Sequence, residues 1–233
     1  NAIRSRPNDN RPILAYSSGN HGQAIALNAK LQGRSATVIM PADAPKLKLD
    51  ATASHGADIV FYNRNTQDRE EIGRKLQEEQ NAHLIPPYDD ERVICGQGTI
   101  GLEIASQFTA LNITPSKVII CCGGGGLIAG ISIALAKRLP DTRIYAAEPA
   151  GFDDMRRSLA AGQRLSNPIG GHSICDAILT PTPGTLTFPI AKQYLSGGYV
   201  ADDMAVFAAM RCAYQDFKLV VEPGGAIALA AAL

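Results

Sequence analysis

Short apolar runs alternate with helix-length stretches along almost the whole of this chain, and that alternation limits what it can fold into. Ile13-Leu14-Ala15-Tyr16, Thr37-Val38-Ile39-Met40, Asp58-Ile59-Val60-Phe61-Tyr62, Lys117-Val118-Ile119-Ile120-Cys121-Cys122 and Arg143-Ile144-Tyr145-Ala146-Ala147 read as strands. Residues 21–32, 46–55, 67–80, 101–108 and 127–138 read as the helices between them. A strand that lies parallel to its predecessor needs a crossover of about a dozen residues or more, and these intervals supply it. The chain is therefore expected to be α/β, built of parallel sheets with helices on both faces. Residues 150–189, rich in Gly, Pro, Ser and Thr, read as irregular. The loop Pro86-Pro87-Tyr88-Asp89-Asp90 reads as a domain junction, and the apolar run 226–233 as a helix against a core.

Charge excludes some classes of function. The 233 residues carry 22 basic and 22 acidic side chains, with no Lys/Arg cluster interleaved with aromatics. Nothing favours nucleic acid or an anionic membrane surface. No run is long and apolar enough to predict a transmembrane helix, and residues 1–7 hold no apolar signal core. Cys95, Cys121, Cys122, Cys175 and Cys212 are odd in number, scattered, and without zinc-ligand spacing. They read as small core residues in a reducing compartment, so a cytoplasmic location is expected.

Two strand-to-helix turns have unusual chemistry. Gly123-Gly124-Gly125-Gly126 follows the strand at 117–122. Glycines lack Cβ and tolerate positive φ, so an anion can approach their amides, and the following helix adds its positive end. A phosphate is the natural ligand. It could belong to a dinucleotide: Gly124-x-Gly126-x-x-Ala129 fits a Rossmann fingerprint, with Glu148 about 20 residues on as a ribose ligand. Ser17-Ser18-Gly19-Asn20-His21-Gly22-Gln23 forms the second turn. One cap needs only one Ser or Asn, and this density of small polar groups suits a carboxylate-binding helix start.

Five motifs in order carry a resemblance: residues 17–23, then Gly96-Gln97-Gly98-Thr99-Ile100-Gly101-Leu102-Glu103, then Gly123-Gly124-Gly125-Gly126-Leu127, then Ala147-Glu148-Pro149, then Glu222-Pro223-Gly224-Gly225-Ala226. Together they resemble the landmarks of the serine racemase and serine/threonine dehydratase (threonine ammonia-lyase) family of fold-type-II pyridoxal-phosphate enzymes. The resemblance implies two three-layer α/β domains of the tryptophan-synthase-β type. The smaller, at 12–89, would carry the asparagine turn. The larger, at 1–11 and 90–233, would carry the glycine loop, with the cofactor between the domains. It implies that Asn20 hydrogen-bonds the cofactor's 3′-hydroxyl, that Ser17, Gly19, Asn20 and His21 grip the substrate carboxylate, and that Gly123, Gly124, Gly125, Gly126 and Leu127 cradle the phosphate. Glu222 would lie beside the ring. Glu148, the Phe152 carbonyl and Asp154 resemble a site for Mg²⁺ or Ca²⁺, whose hard oxygen ligands they supply; the alternative is a solvated acidic loop. A homodimer is also implied.

The family's Schiff-base lysine lies in a Ser-Phe-Lys-x-Arg-Gly-Ala stretch that would precede Asn1, and no lysine of this chain stands in such a stretch. A fragment of a longer protein, lacking that segment and the family's C-terminal end, is expected. The implied reaction is dehydration and deamination of L-threonine or L-serine to a 2-oxo acid and ammonia, the cofactor acting as electron sink. Ser18 resembles the opposite-face acid/base of serine racemases, or is simply a hydroxyl at a helix end. His172-Ser173-Ile174-Cys175-Asp176-Ala177 departs from the family's Thr-Ile-Ala-Asp-Gly-like pattern and leaves the choice of small hydroxy amino acid open. A nicotinamide-dependent dehydrogenase and a non-catalytic binding relative of the family are the alternatives.

Overall fold

The computed structural model describes residues 1–6, 9–17, 19–63 and 66–233. The chain forms two compact units, Asn1–Val93 and Ile94–Leu233.

The first unit holds β1 (Ile13–Tyr16), α1 (Asn20–Leu31), β2 (Ala36–Pro41), α2 (Lys46–Ser54), β3 (Asp58–Tyr62), α3 (Arg69–Gln80) and β4 (His83–Leu84). The four strands make one parallel sheet in the order β3-β2-β1-β4, with Tyr16 opposite Ile39 and Met40 opposite Phe61. Every residue of β1 and β2 is buried, which is why both read as unbroken apolar runs rather than alternating ones. The edge strand β3 is more exposed. Gly22 brings α1 close to the sheet, since a Cβ there would stand 3.0 Å from Val38 Cγ1. The charged helix α3 starts where the Asp68 carboxylate accepts from the Glu70 amide, and only Gly73 on it is fully buried. Residues 1–11, expected with the later domain, contribute Ala2 and Ile3 to this unit's core beside Ile13, Ile85 and Val93.

The helix α4 (Glu91–Ala110) carries the boundary between the units. It is followed by β5 (Lys117–Cys121), α5 (Gly126–Arg138), β6 (Arg143–Pro149), α6 (Asp154–Ala161), a 3₁₀ turn at Asp176–Ile178, α7 (Thr187–Tyr194), β7 (Gly197–Ala201), α8 (Asp203–Gln215) and α9 (Pro223–Ala230). The second sheet is parallel, in the order β5-β6-β7. Its core joins Ile120, Ile128, Leu135, Ile144, Met155 and Phe188. Helices α4 and α5 meet backbone to backbone: a Cβ on Gly130 would overlap the Ile94 carbonyl oxygen and stand 2.6 Å from the Gly98 nitrogen.

Three features differ from the sequence reading. The helix expected at 101–108 begins ten residues earlier, at Glu91, through three glycines. The stretch 150–189 is not wholly irregular, since it contains α6, the 3₁₀ turn and the start of α7. The strands β4 and β7 and the helix α8 have no counterpart in that reading.

Candidate active site

The asparagine turn leaves the carboxyl end of β1. Chain order runs from β1 to β2 on one side, and from β3 back across to β4 on the other. This reversal makes the end of β1 the switch point of the sheet, where open α/β folds bind ligands. Ser17 is buried, and its Oγ accepts from the Gly19 amide at 3.1 Å, which folds the turn back toward α1. Gly19 is the N-cap and Asn20 the first helical residue; Asn20 is exposed. His21 is half-buried and its Nε2 lies 3.0 Å from the Ile85 carbonyl oxygen, a contact in which the ring nitrogen donates. Burial holds its pKa below the ordinary value, so the neutral ring is favoured. The first turn of α1 contains no acidic residue to occupy its unsatisfied amides. Ser18, the expected opposite-face acid/base, lies outside the described residues.

The glycine loop leaves the carboxyl end of β5, the corresponding place in the second unit. The first turn of α5 leaves the amides of Gly126, Leu127 and Ile128 without helix-internal acceptors. Two of the four glycines are demanded by what lies behind the loop. A Cβ on Gly123 would stand 3.1 Å from Ile178 Cα, and Gly125, at φ +94°, would place one 2.8 Å from Thr187 Oγ1. The loop is held from that side: Thr187 Oγ1 donates to the Gly124 carbonyl at 2.6 Å, and the Gly184 amide donates to the same oxygen at 3.2 Å. A backbone fixed in this way, with the positive end of α5 at its exit, fits a phosphate monoester. Glu222 is half-buried at the N-cap of α9, and its charge acts on Cys121, two residues before the loop. Gly224 packs against Ala177 and Ile178, so the start of α9, the 3₁₀ turn and the glycine loop share one neighbourhood.

The acids at the end of β6 are not a solvated loop. Glu148 is 0% and Asp154 1% exposed. The two Glu148 oxygens accept from the Met155 and Arg156 amides, each at 2.8 Å. Burial nevertheless dominates and pushes its pKa up to about 8. Asp154 accepts from Asn167 Nδ2 through Oδ1, while Oδ2 is buried with no hydrogen-bond partner. Burial raises its pKa to about 6. Its neighbour Asp153 is instead paired with Arg156 and Arg157 and is held below the usual carboxylate range despite its partial burial. Two buried carboxylates with an orphaned oxygen fit a hard divalent cation, with the Phe152 carbonyl as a third oxygen donor. Among the described residues no group of three or more His, Cys, Asp or Glu side chains is arranged around a metal position, so such a site would lean on backbone oxygen. The same geometry removes Glu148 as a ribose ligand, because its carboxylate is fully enclosed beneath the start of α6.

Thr187, Gly184 and Ile178 stand against the glycine loop and were not disclosed by the sequence. They come from the stretch read as irregular and reach the glycine loop across more than fifty positions. Lys48 is another: its Nζ lies against Gly19 in the asparagine turn. Cys175, in the departing segment, is fully buried in the core with Ala147 and Ile227.

Comparison with known proteins identifies the family. A family model described as pyridoxal-phosphate dependent enzyme matches residues 1–233. The chain is 38% identical over 221 residues to serine racemase of Oryza sativa subsp. indica, covering 95% of this chain and 63% of that protein. It is 38% identical over 237 residues to L-threo-3-hydroxyaspartate ammonia-lyase of Saccharomyces cerevisiae, covering 100% of this chain and 71% of the relative. The solved structure of maize serine racemase superposes with a TM-score of 0.93 at 36% identity, covering 100% of this chain and 70% of that one. The chain thus spans less than two thirds of the rice racemase's length. Its fold is that of the fold-type-II enzymes, and the chain belongs to the pyridoxal-phosphate dependent enzyme family.

Proposed function

We propose that the full-length protein eliminates the β-hydroxyl of L-threonine or L-serine, releasing a 2-oxo acid and ammonia, and also racemises serine. The observation that carries this reading is the pair of glycine-containing helix starts, each at the carboxyl end of a parallel strand. One has the character of a phosphate cradle, the other of a carboxylate clamp. Relatives named serine racemase and L-threo-3-hydroxyaspartate ammonia-lyase support the substrate class.

Pyridoxal phosphate, when bound, supplies an electron sink for negative charge developing at the substrate Cα. Gly123, Gly124, Gly125, Gly126 and Leu127 would hold its phosphate, Asn20 its 3′-hydroxyl, and Glu222 would lie beside its ring. The helix start at Ser17, Gly19, Asn20 and His21 would orient the substrate carboxylate, fixing which bond at Cα is presented for cleavage. The His21 ring, donating to the Ile85 carbonyl and neutral at physiological pH, would brace this helix start. A lysine from the Ser-Phe-Lys-x-Arg-Gly-Ala pattern would take the Cα proton on one face, and Ser18 would exchange it on the other. Glu148, the Phe152 carbonyl and Asp154 would hold Mg²⁺ or Ca²⁺ as a structural ion. A homodimer is the assembly this reading carries over from the family, and the cytoplasm is the compartment that free cysteines suit. No helix among the described residues is long and apolar enough to cross a membrane.

The test is an assay of the full-length protein supplied with pyridoxal phosphate. L-Serine, L-threonine and L-threo-3-hydroxyaspartate are offered, and 2-oxo acid, ammonia and D-serine are measured. Production of 2-oxo acid from at least one substrate is expected. No product from any of them, with cofactor bound, overturns the reading in favour of a non-catalytic relative. Elimination without D-serine removes the racemase half alone.

A further inference from the structure

Lys48, the third residue of α2, brings a positive charge to the start of a different helix. It lies in the first turn of α2, which contains no acidic residue, so its ammonium adds to the positive end of its own helix. The side chain then runs across to α1. A Cβ on Gly19, the N-cap of α1, would stand 3.3 Å from Lys48 Nζ, 3.4 Å from Cδ and 3.6 Å from Cε. The first turn of α1 also lacks an acid. The absence of Cβ at position 19 is what lets the Lys48 stem lie so close to the turn. Two helix starts and a half-buried lysine therefore bring positive potential to one place, the backbone that the reading above assigns to the substrate carboxylate.

We propose that Lys48 is a positioning residue for the substrate α-carboxylate: its stem packs the Gly19 backbone into the gripping conformation, and its charge deepens the potential that holds the anion. The ligand class is an α-amino acid with a free carboxylate. This rests on the carboxylate-gripping role proposed for Ser17, Gly19, Asn20 and His21.

The experiment uses the full-length, cofactor-loaded protein and its Lys48→Met and Lys48→Arg variants. Methionine keeps most of the stem and removes the charge. Arginine keeps the charge. Calorimetry with L-alanine, which has the carboxylate but no leaving group, reads binding apart from turnover. Lys48→Met is expected to weaken L-alanine binding about tenfold and to raise KM for L-serine similarly, with kcat changed less than about twofold. Lys48→Arg is expected to retain most of the affinity. The gap between wild type and Lys48→Met should narrow from about 0.05 to about 0.5 M salt. Equal L-alanine affinity in wild type and Lys48→Met overturns the proposal, as does equal loss in Lys48→Arg and Lys48→Met. Should Lys48→Met fail to fold, Lys48→Gln takes its place under the same criteria. A wild-type protein that binds L-alanine yet turns over no hydroxy amino acid defeats the proposed activity, while the binding comparison still decides Lys48. A wild type that binds no L-alanine defeats both.

Discussion

The buried hydroxyl of Thr187 donates to the carbonyl of Gly124 at 2.6 Å, tying the first turn of α7 to the loop that opens α5. Sixty-three positions separate the two residues in the chain. The bond fixes which way the Gly124 peptide points, and with it the amides on the opposite side of the loop.

Thr187→Val should therefore weaken the cofactor cradle without emptying the core. Valine has nearly the same shape, so the substitution removes chiefly the hydroxyl, and among the described residues Gly124 keeps the longer bond from the Gly184 amide. A stability loss of about 1–3 kcal/mol is expected from the under-satisfied buried carbonyl. Urea denaturation measures the first effect, and absorbance titration of the full-length protein with pyridoxal phosphate should show a weaker dissociation constant.

Gly130→Ala should be more damaging than an alanine elsewhere on α5. The added methyl meets the Ile94 carbonyl and the Gly98 amide, both backbone, so no side chain can swing away. Helices α4 and α5 must separate. A loss of about 3 kcal/mol is expected, against a small gain for alanine at an unhindered helical glycine. Urea denaturation of the variant beside wild type checks it.

The acids Glu148 and Asp154 predict a pH dependence with a definite sign. Both have folded-state pKa values, about 8 and about 6, above their ordinary ones. The native state then binds more protons than the unfolded chain, and stability falls as pH rises from about 4 to about 8. Each unit of displacement corresponds to about 1.4 kcal/mol before solvent relaxation is allowed for. Thermal unfolding in chelator should thus show Tm declining across that window. Adding Mg²⁺ or Ca²⁺ should restore Tm most at the alkaline end, where both carboxylates are charged. An identical Tm profile with and without the ion would remove the metal site.

His21 should titrate below the ordinary histidine range, with the proton of its neutral form on Nε2. Desolvation is the larger cause, and the bond to the Ile85 carbonyl opposes it only in part. Because the folded pKa is depressed, the native state binds fewer protons, and the contribution of His21 to stability, full above about 6.5, is lost as pH falls from there through the lower folded value. Nitrogen NMR of the ring reads both the tautomer and the midpoint.

Much of the architecture was legible in the chain itself. The apolar and mixed runs that read as β1, β2, β3, β5 and β6 are strands, because parallel strands buried on both faces must be apolar throughout, as β1 and β2 are. The two polar turns stood out because Ser-Ser-Gly-Asn-His and four consecutive glycines exceed what a plain helix start requires. The onset of α4 did not stand out. Gly96, Gly98 and Gly101 lower helix propensity, and it is the close approach of Gly98 and Gly101 to α5 that gives a helix through them its reason. The helix α6 was hidden because its buried residues are Asp154, Met155 and Ser158, too polar to mark an apolar face.

What the sequence determined by itself was the order of strands, helices and polar turns, since hydrophobic period and local turn chemistry act between near neighbours. What only tertiary structure decided was which distant groups meet. Glu148 reads as a ribose ligand, a metal ligand or a loop acid until burial encloses it and the α6 amides orient its two oxygens. Thr187 and Lys48 have no local signature at all. Thr187 reaches Gly124, and Lys48 reaches Gly19, only through packing between distant segments, and such contacts leave no periodic trace in the chain that makes them.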